Sequence, residues 1–283
     1  MKYILIFFCW ISFKVSGQAL QDIQYGNNSI VGSYANVNGI TMYYEKYGEG
    51  EPIILLHGGT GSISEFQFLI PYLSKKFKVY ALDFRGHGRT NNNLDAMSYS
   101  LLTKDIIQFI NYLNLNTIKI IGYSDGGIVA LKLAIDIPEK IEKMIVVSAN
   151  KSVSDLNKQF IGFAKTMITD NNLKNAYIKR EKKKYDTINP EPEKYQRFMQ
   201  LMGQMWLHDP YIKNRDYAKI STPLLMVYGD NDAFHFDAMI DMYKNLNCKK
   251  KQLCILPNTN HFVFKKKHAK IINPIIHKYL VSD

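Results

Sequence analysis

From residue 34 onward the sequence predicts an α/β domain: a mostly parallel, doubly wound sheet with helices on both faces and a helical insertion late in the chain. Three observations carry that expectation. Short apolar runs of β type alternate with segments of helical periodicity, a tight hairpin opens the series, and residues 151–215 break the alternation with helix-like sequence.

The hairpin comes first. Residues 34–37 and 40–44 flank Asn38-Gly39, two residues that tolerate the positive φ a two-residue turn demands. Residues 53–56 (IILL) form a short continuous apolar run, the pattern of a strand buried on both faces. Further strands are expected at 77–82, 118–121, 144–147, 224–228 and 252–256. Helices are expected between them at 65–75, 101–113, 128–135, 237–246 and 269–280. Pro138 closes the third and Pro274 interrupts the last, where it is expected to introduce a kink. Residues 18–32 are polar and loop-like. The block 151–215 carries many Lys, Tyr and Met residues with Trp206 and His208. Inserted between two core strands, it is expected to form a helical cap over the sheet edge where open α/β sheets bind ligands.

Composition bounds the class of protein. The 283 residues are 46% hydrophobic and 22% charged, which suits one folded domain with a sizeable core and excludes global disorder. The first residues differ from the rest. Lys2 precedes an apolar stretch at 3–13, which is too short for a comfortable membrane span. Lys14 and Val15-Ser16-Gly17 follow. Residues 1–17 therefore fit a cleaved signal peptide, leaving 18–283 as the mature chain. The expectation is a secreted or periplasmic protein with no stable membrane insertion after cleavage. Cys9 would leave with that segment. Cys248 and Cys254 remain, and both a disulfide and two separate thiols stay open. The formal net charge is +11, but the basic runs at 179–184, 249–251 and 265–267 are Lys-rich, scattered and unaccompanied by a nucleic-acid motif. Solvated faces account for them, and no nucleic-acid partner is expected.

The residues with chemistry concentrate at loops after strands. Gly122-Tyr123-Ser124-Asp125-Gly126-Gly127 follows the run 118–121 and precedes a helix. A strand turning directly into a helix crowds the neighbours of Ser124, and glycines at 122 and 126 carry no Cβ to clash. Ser124 is thus a candidate nucleophile, and a serine hydroxyl needs a base. His261 lies in the polar loop after the last strand, at the sheet edge that would hold Ser124. His57 and His87 lie in Gly-rich turns that could shape the pocket. His208 falls in the insertion, His235 near the acid loop, and His268 and His277 in or near the final helix. The acid should follow the strand 224–228, where Asp230 and Asp232 both stand. Asp232 is favoured because turn residues carry it beyond the strand end, whereas Asp230 suits a turn residue bonding local backbone. Negative charge developing on a carbonyl oxygen needs N–H donors. One is expected from Asp125, and the other from Gly59 or Thr60 in the loop His57-Gly58-Gly59-Thr60-Gly61. Tyr123 and Gly58 flank these positions and are expected to contact substrate.

The HGG loop, the DFRGHG turn at 83–88, GYSDGG, GDND and the NTNHF loop resemble the α/β-hydrolase superfamily in order and spacing, over nearly all of 34–281. The family's chain order of serine, acid and histidine implies Ser124, Asp232 and His261. Within it, Ser124-Asp125-Gly126-Gly127 and the run through Ser148-Ala149-Asn150 are similar to the biphenyl hydrolase-like, or valacyclovir hydrolase, group. Members of that group cleave esters of α-amino acids and use the acid after the nucleophile to hold the substrate's ammonium. The resemblance implies that role for Asp125. A helix N-terminal residue stabilised by first-turn amides is the alternative.

The expected function is a serine hydrolase acting on small-molecule carboxylic esters. Amides, thioesters, lactones and carbon–carbon bonds are open to the same machinery. A ligand-binding protein on the same scaffold and a basic surface-binding protein are the alternatives from other classes. No metal, flavin or nucleotide is indicated; Gly86 and Gly88 could suggest a phosphate loop, but the Walker spacing is absent.

Overall fold

Eight strands form where the apolar runs fall: β1 (Gly32–Val37), β2 (Ile40–Tyr47), β3 (Glu51–Leu56), β4 (Phe77–Leu82), β5 (Ile118–Tyr123), β6 (Ile141–Val147), β7 (Leu224–Asn231) and β8 (Lys251–Asn260). In the computed structural model, which describes residues 23–91, 95–209 and 212–282, they make one sheet in the order β1-β2-β4-β3-β5-β6-β7-β8. The pairs β1–β2 and β2–β4 are antiparallel and every other pair is parallel. Asn38 and Gly39 take φ values of +45° and +76°, as the tight hairpin requires. The proposed signal at 1–17 lies outside the described residues.

The two-residue period of the strands sorts their side chains onto two cores. Ile54, Leu56, Ile120, Met144 and Val146 face one side, where α2 (Tyr99–Tyr112) and α3 (Asp125–Asp136) pack with Ile106, Phe109, Val129 and Leu133. Ile53, Leu55, Ile121, Ile145 and Val147 face the other. There α9 (Lys266–Val281) packs with Ile272, Ile276 and Leu280, and α1 (Ile70–Leu73) with Ile70 and Leu73. The central strands are continuous apolar runs because both faces are covered. The helix α9 runs through Pro274.

One expected element is corrected. Residues 65–75 do not form a single helix. The chain makes a 3-10 turn at Ile63–Phe66, capped by Ser62, and then only the four-residue α1. Pro71 is the physical reason, because it lacks an N–H and its ring excludes the carbonyl four residues earlier, at Gln67.

Between β6 and β7 the chain departs from the sheet into α4 (Lys158–Thr169), α5 (Ala176–Ile188), α6 (Tyr195–His208) and α7 (Asn214–Tyr217), and β7 is followed by α8 (Phe236–Asn245). Among the described residues no helix is long and apolar enough to cross a membrane. Cys248 is buried, Cys254 is half-buried, and both are free thiols.

Candidate active site

The carboxyl ends of β3, β5, β6, β7 and β8 bring the candidate residues to one edge of the sheet. Ser124 sits between β5 and α3 with φ +52° and ψ −117°, a conformation that side chains rarely adopt. The surroundings hold it there. Its N–H donates to Val147 O at 2.8 Å, its carbonyl accepts from Gly127 and Ile128, and the Gly126 N–H donates to His57 O at 3.1 Å.

His261, in the loop at the end of β8, bridges Ser124 and Asp232. Its Nε2 lies 2.9 Å from Ser124 Oγ, and its Nδ1 lies 2.7 Å from Asp232 Oδ1. Tyr123 donates its hydroxyl to the His261 carbonyl at 2.9 Å, which fixes the loop and leaves the tyrosine ring facing the imidazole. Asp232 is buried and surrounded by donors. Oδ1 also accepts the Ala233 N–H at 2.7 Å, while Oδ2 accepts Ser148 Oγ–H at 2.6 Å and the Gly229 N–H at 3.3 Å. Burial alone would raise this carboxyl. The His261 hydrogen bond and charge, with Ser148 and Ala233, outweigh it and hold the group below its ordinary value. Asp230 does something different. Its two oxygens accept the N–H groups of Asn258 and Thr259 at 2.9 Å each, bracing the backbone just before His261.

The Gly-rich loop after β3 supplies and withholds donors in a pattern the sequence only partly revealed. The Thr60 N–H donates to His87 Nε2 at 3.2 Å, so the expectation of Thr60 as an oxyanion donor is corrected. The Gly58 N–H is likewise committed, to Glu65 Oε2 at 2.8 Å. Gly59 and Asp125 are the loop and elbow residues whose N–H groups meet no protein acceptor among the described residues. The two turn histidines are neutral braces. His87 donates from Nδ1 to Arg85 O at 2.9 Å, and His57 donates from Nδ1 to Gly58 O at 2.7 Å while its Nε2 accepts the Phe84 N–H at 3.0 Å. Burial pushes His87 down to about 4 and lowers His57 as well, so both keep a free lone pair for these backbone donors.

Asp125 requires a second correction. Its carboxylate does not face the cavity. Oδ1 accepts the Tyr99 hydroxyl at 2.7 Å and Oδ2 accepts Trp206 Nε1–H at 2.9 Å, and the side chain is buried beneath that indole. Burial pushes the Asp125 carboxyl up to about 6 against the pull of Trp206, Tyr99 and His261. Through the Trp206 bond the side chain ties α3 to the insertion helix α6.

Ser124, His261 and Asp232 line a cavity of about 420 Å³. Tyr123 and Gly58 line it too. The insertion contributes Asn157, Gln159, Phe160, Phe163, Tyr177 and Trp206 to the same walls. Glu65 also lines it, and sequence reasoning missed it because it lay within an expected helix rather than the loop. The histidine at the centre is enclosed by rings. Phe160, Phe234 and Phe262 lie 6.4, 5.5 and 6.1 Å from it, centroid to centroid. Among the described residues no group of three or more His, Cys, Asp or Glu is placed to hold a metal ion. A hydroxyl bonded to an imidazole, itself oriented by a buried carboxylate, can act as an activated nucleophile.

The chain belongs to the alpha/beta hydrolase fold family, whose model matches residues 51–267. Its curated relatives include the human serine hydrolase BPHL, 33% identical over 133 residues that span 45% of this chain and 46% of that protein. That match supports the resemblance to the biphenyl hydrolase-like group. The soluble epoxide hydrolase of Corynebacterium sp. (strain C12) is 31% identical over 113 residues, 40% of each chain. The chain thus matches less than half the length of these relatives. Among solved structures, bromoperoxidase from Bacillus anthracis superposes with a TM-score of 0.73 at 21% identity, covering 89% of this chain and 100% of that one, a likeness of fold. The family fixes the fold, and the variety of its relatives leaves both activity and substrate to be read from the site.

Proposed function

We propose that the protein cleaves small-molecule carboxylic esters through an acyl-enzyme on Ser124. The observation that carries this reading is the unbroken hydrogen-bonded series Ser124–His261–Asp232 opening onto one cavity. His261 Nε2 takes the proton as Ser124 Oγ attacks the ester carbonyl. The Asp232 carboxylate fixes the Nδ1–H tautomer and stabilises the imidazolium. The N–H groups of Gly59 and Asp125 are the donors for the oxyanion. His261 then protonates the departing alcohol, and water, activated by the same nitrogen, releases the acid. The aromatic walls favour an apolar or amphipathic acyl or alcohol group. Selection of an α-ammonium by Asp125 is left out of this proposal, because that carboxylate already accepts from Trp206 and Tyr99.

A fluorophosphonate probe tests the core of the reading. Intact-mass and peptide analysis are expected to show one adduct, on Ser124, in the native protein and none in Ser124→Ala. The native protein should hydrolyse 4-nitrophenyl butyrate and the variant should be inert. A native protein that neither labels nor turns over would leave ligand binding as the function. Export belongs to the same proposal: the chain recovered outside the cytoplasm should begin at Gln18, and a full-length chain beginning at Met1 would contradict it.

A further inference from the structure

A second cavity, of about 910 Å³, adjoins the catalytic one and shares Glu65, Tyr177 and Phe262 with it. Its walls come from the Gly-rich loop and the 3-10 turn after it, from α5 and from residues 24–27. The α5 wall is a stripe at helical spacing: Tyr177, Arg180, Glu181, Lys184, Tyr185 and Ile188. A helix stripe turned toward the body of a protein is ordinarily apolar, whereas this one carries a polar group at every position but the last.

Residues 24–27 belong to no helix or strand, yet they are held firmly. Buried Glu45 on β2 accepts the Gly26 N–H at 2.9 Å, the Asn28 N–H at 2.8 Å, and the Tyr43 and Tyr47 hydroxyls at 2.8 Å each. Arg89 Nη1 donates to Asn27 Oδ1. A buried carboxylate saturated with donors thus fixes a segment that adds nothing to the sheet and serves as a cavity wall.

The charges in the walls largely offset one another. Arg180 and Lys184 both pair with Glu181 at 3.0 Å, and the other ionic side chains, Lys265 and Glu65, are of opposite sign. Hydrogen-bonding capacity is left over. Gln24 Nε2, the Tyr25 hydroxyl and Glu65 Oε1 have no hydrogen-bond partner among the described residues. The Tyr185 hydroxyl is buried without one, and Lys265 lies 4.5 Å from the centre of the Phe262 ring with no carboxylate partner among the described residues. An uncharged group rich in hydroxyls matches these walls. Its O–H groups donate to carboxylate oxygens and accept from amide and ammonium N–H, while its C–H faces rest on tyrosine and phenylalanine rings. An apolar alcohol in the same place would strip water from the wall and return no hydrogen bond.

We propose that the second cavity binds a polyhydroxylated alcohol, so that the preferred substrate is an acylated sugar. The acyl group lies in the aromatic cavity at Ser124 and the sugar lies beyond the shared Glu65, Tyr177 and Phe262. This rests on the ester hydrolase reading and names its substrate class. As the bond from Ser124 Oγ to the acyl carbon forms and the bond to the sugar oxygen breaks, that oxygen takes the proton from His261 Nε2. Water then releases the acid.

The test uses the full chain and esters with one acyl group: the 6-O-butanoyl esters of glucose, galactose and mannose, each against cyclohexylmethyl butanoate. The rates are first divided by those of alkaline hydrolysis, which removes the intrinsic reactivity of each ester. The wild type is expected to favour at least one sugar ester about 10-fold or more in kcat/KM, because a site built to bond hydroxyls rejects the analogue without them. In the double variant Gln24→Ala/Tyr25→Phe that ratio should fall about 10-fold or to unity. Phenylalanine keeps the ring packed on Tyr47, and Glu45 still holds the backbone of Gly26 and Asn28. The readout is a ratio within one enzyme, so a general loss of activity cancels. A corrected wild-type ratio near unity for all three sugars, or an undiminished ratio in the double variant, overturns the proposal. If no ester is cleaved, the hydrolase reading fails separately. The cavity is then judged by saturation-transfer NMR of 6-O-butanoyl-glucose with Ser124→Ala. Binding lost on adding Gln24→Ala/Tyr25→Phe supports the site, and equal or absent binding overturns it.

Discussion

Asp232→Asn is expected to lower kcat for ester hydrolysis by about 10⁴-fold, the order that a misplaced histidine tautomer costs a serine–histidine–aspartate triad. The structure explains why the change is severe although asparagine is nearly isosteric. Every group around the carboxylate is a donor: His261 Nδ1–H and the Ala233 N–H on Oδ1, Ser148 Oγ–H and the Gly229 N–H on Oδ2. An amide NH₂ set against either pair opposes a donor to donors. If the NH₂ faces His261, the imidazole accepts at Nδ1 and carries its proton on Nε2, where it can no longer take one from Ser124. If the amide flips, the Ser148 hydroxyl and Gly229 N–H lose their acceptor in a buried site. Stability should respond with a definite sign. The wild-type carboxyl is held below its ordinary value, so the stability it lends is complete above the unfolded pKa of about 4 and is lost as pH falls through the lowered folded value. The melting-temperature gap between wild type and Asp232→Asn should therefore be full at neutral pH and narrow below about pH 4. Steady-state kinetics and melting curves across pH check both halves. Near wild-type turnover in a folded Asp232→Asn would remove the carboxylate from the mechanism.

How much of this was legible in the sequence follows from the range of the interactions involved. The elbow at Ser124 is local: a strand, a glycine two residues either side and a helix. It read correctly, as did the Asn38-Gly39 hairpin and the eight strands. His261 and Asp232 come within hydrogen-bonding reach of Ser124 and of each other because loops at the carboxyl ends of parallel strands share one edge, and chain order was what favoured Asp232 over Asp230. The failures are contacts between segments distant in sequence. Nothing local announces that Trp206, 81 residues away, donates to Asp125 and covers it. Nor does it announce that His87, 27 residues from Thr60, claims the N–H that Thr60 was expected to offer an oxyanion. Glu65 was passed over because Pro71 was not weighed against the apolar spacing of 65–75. A helix there would have carried that side chain along the sheet flank, whereas the 3-10 turn returns it to Gly58.

Gly126→Ala is expected to destabilise the protein by about 2–3 kcal/mol, a fall in melting temperature of roughly 5–10 °C, and to cut kcat/KM by about 10²-fold. A Cβ at Gly126 would come within 3.0 Å of the Leu56 and His57 carbonyl oxygens, which are backbone atoms and cannot swing aside. Leu56 is held in the sheet between Leu82 of β4 and Gly122 of β5, so the strand will not yield cheaply. Helix α3 must move instead, taking with it the Ser124 hydroxyl and the Asp125 N–H that its first turn positions. The comparison that isolates this cause is Gly162→Ala in α4. Gly162 is an exposed helical glycine whose added Cβ meets nothing within 4 Å. There the same substitution removes backbone entropy from the unfolded chain and should stabilise by about 0.5–1 kcal/mol. Opposite signs for the two alanines, read by melting curves, tie the loss at Gly126 to the close approach of β3. Equal and small effects would mean that the elbow is more compliant than its geometry requires, and the strained φ of Ser124 would then lose its structural cause.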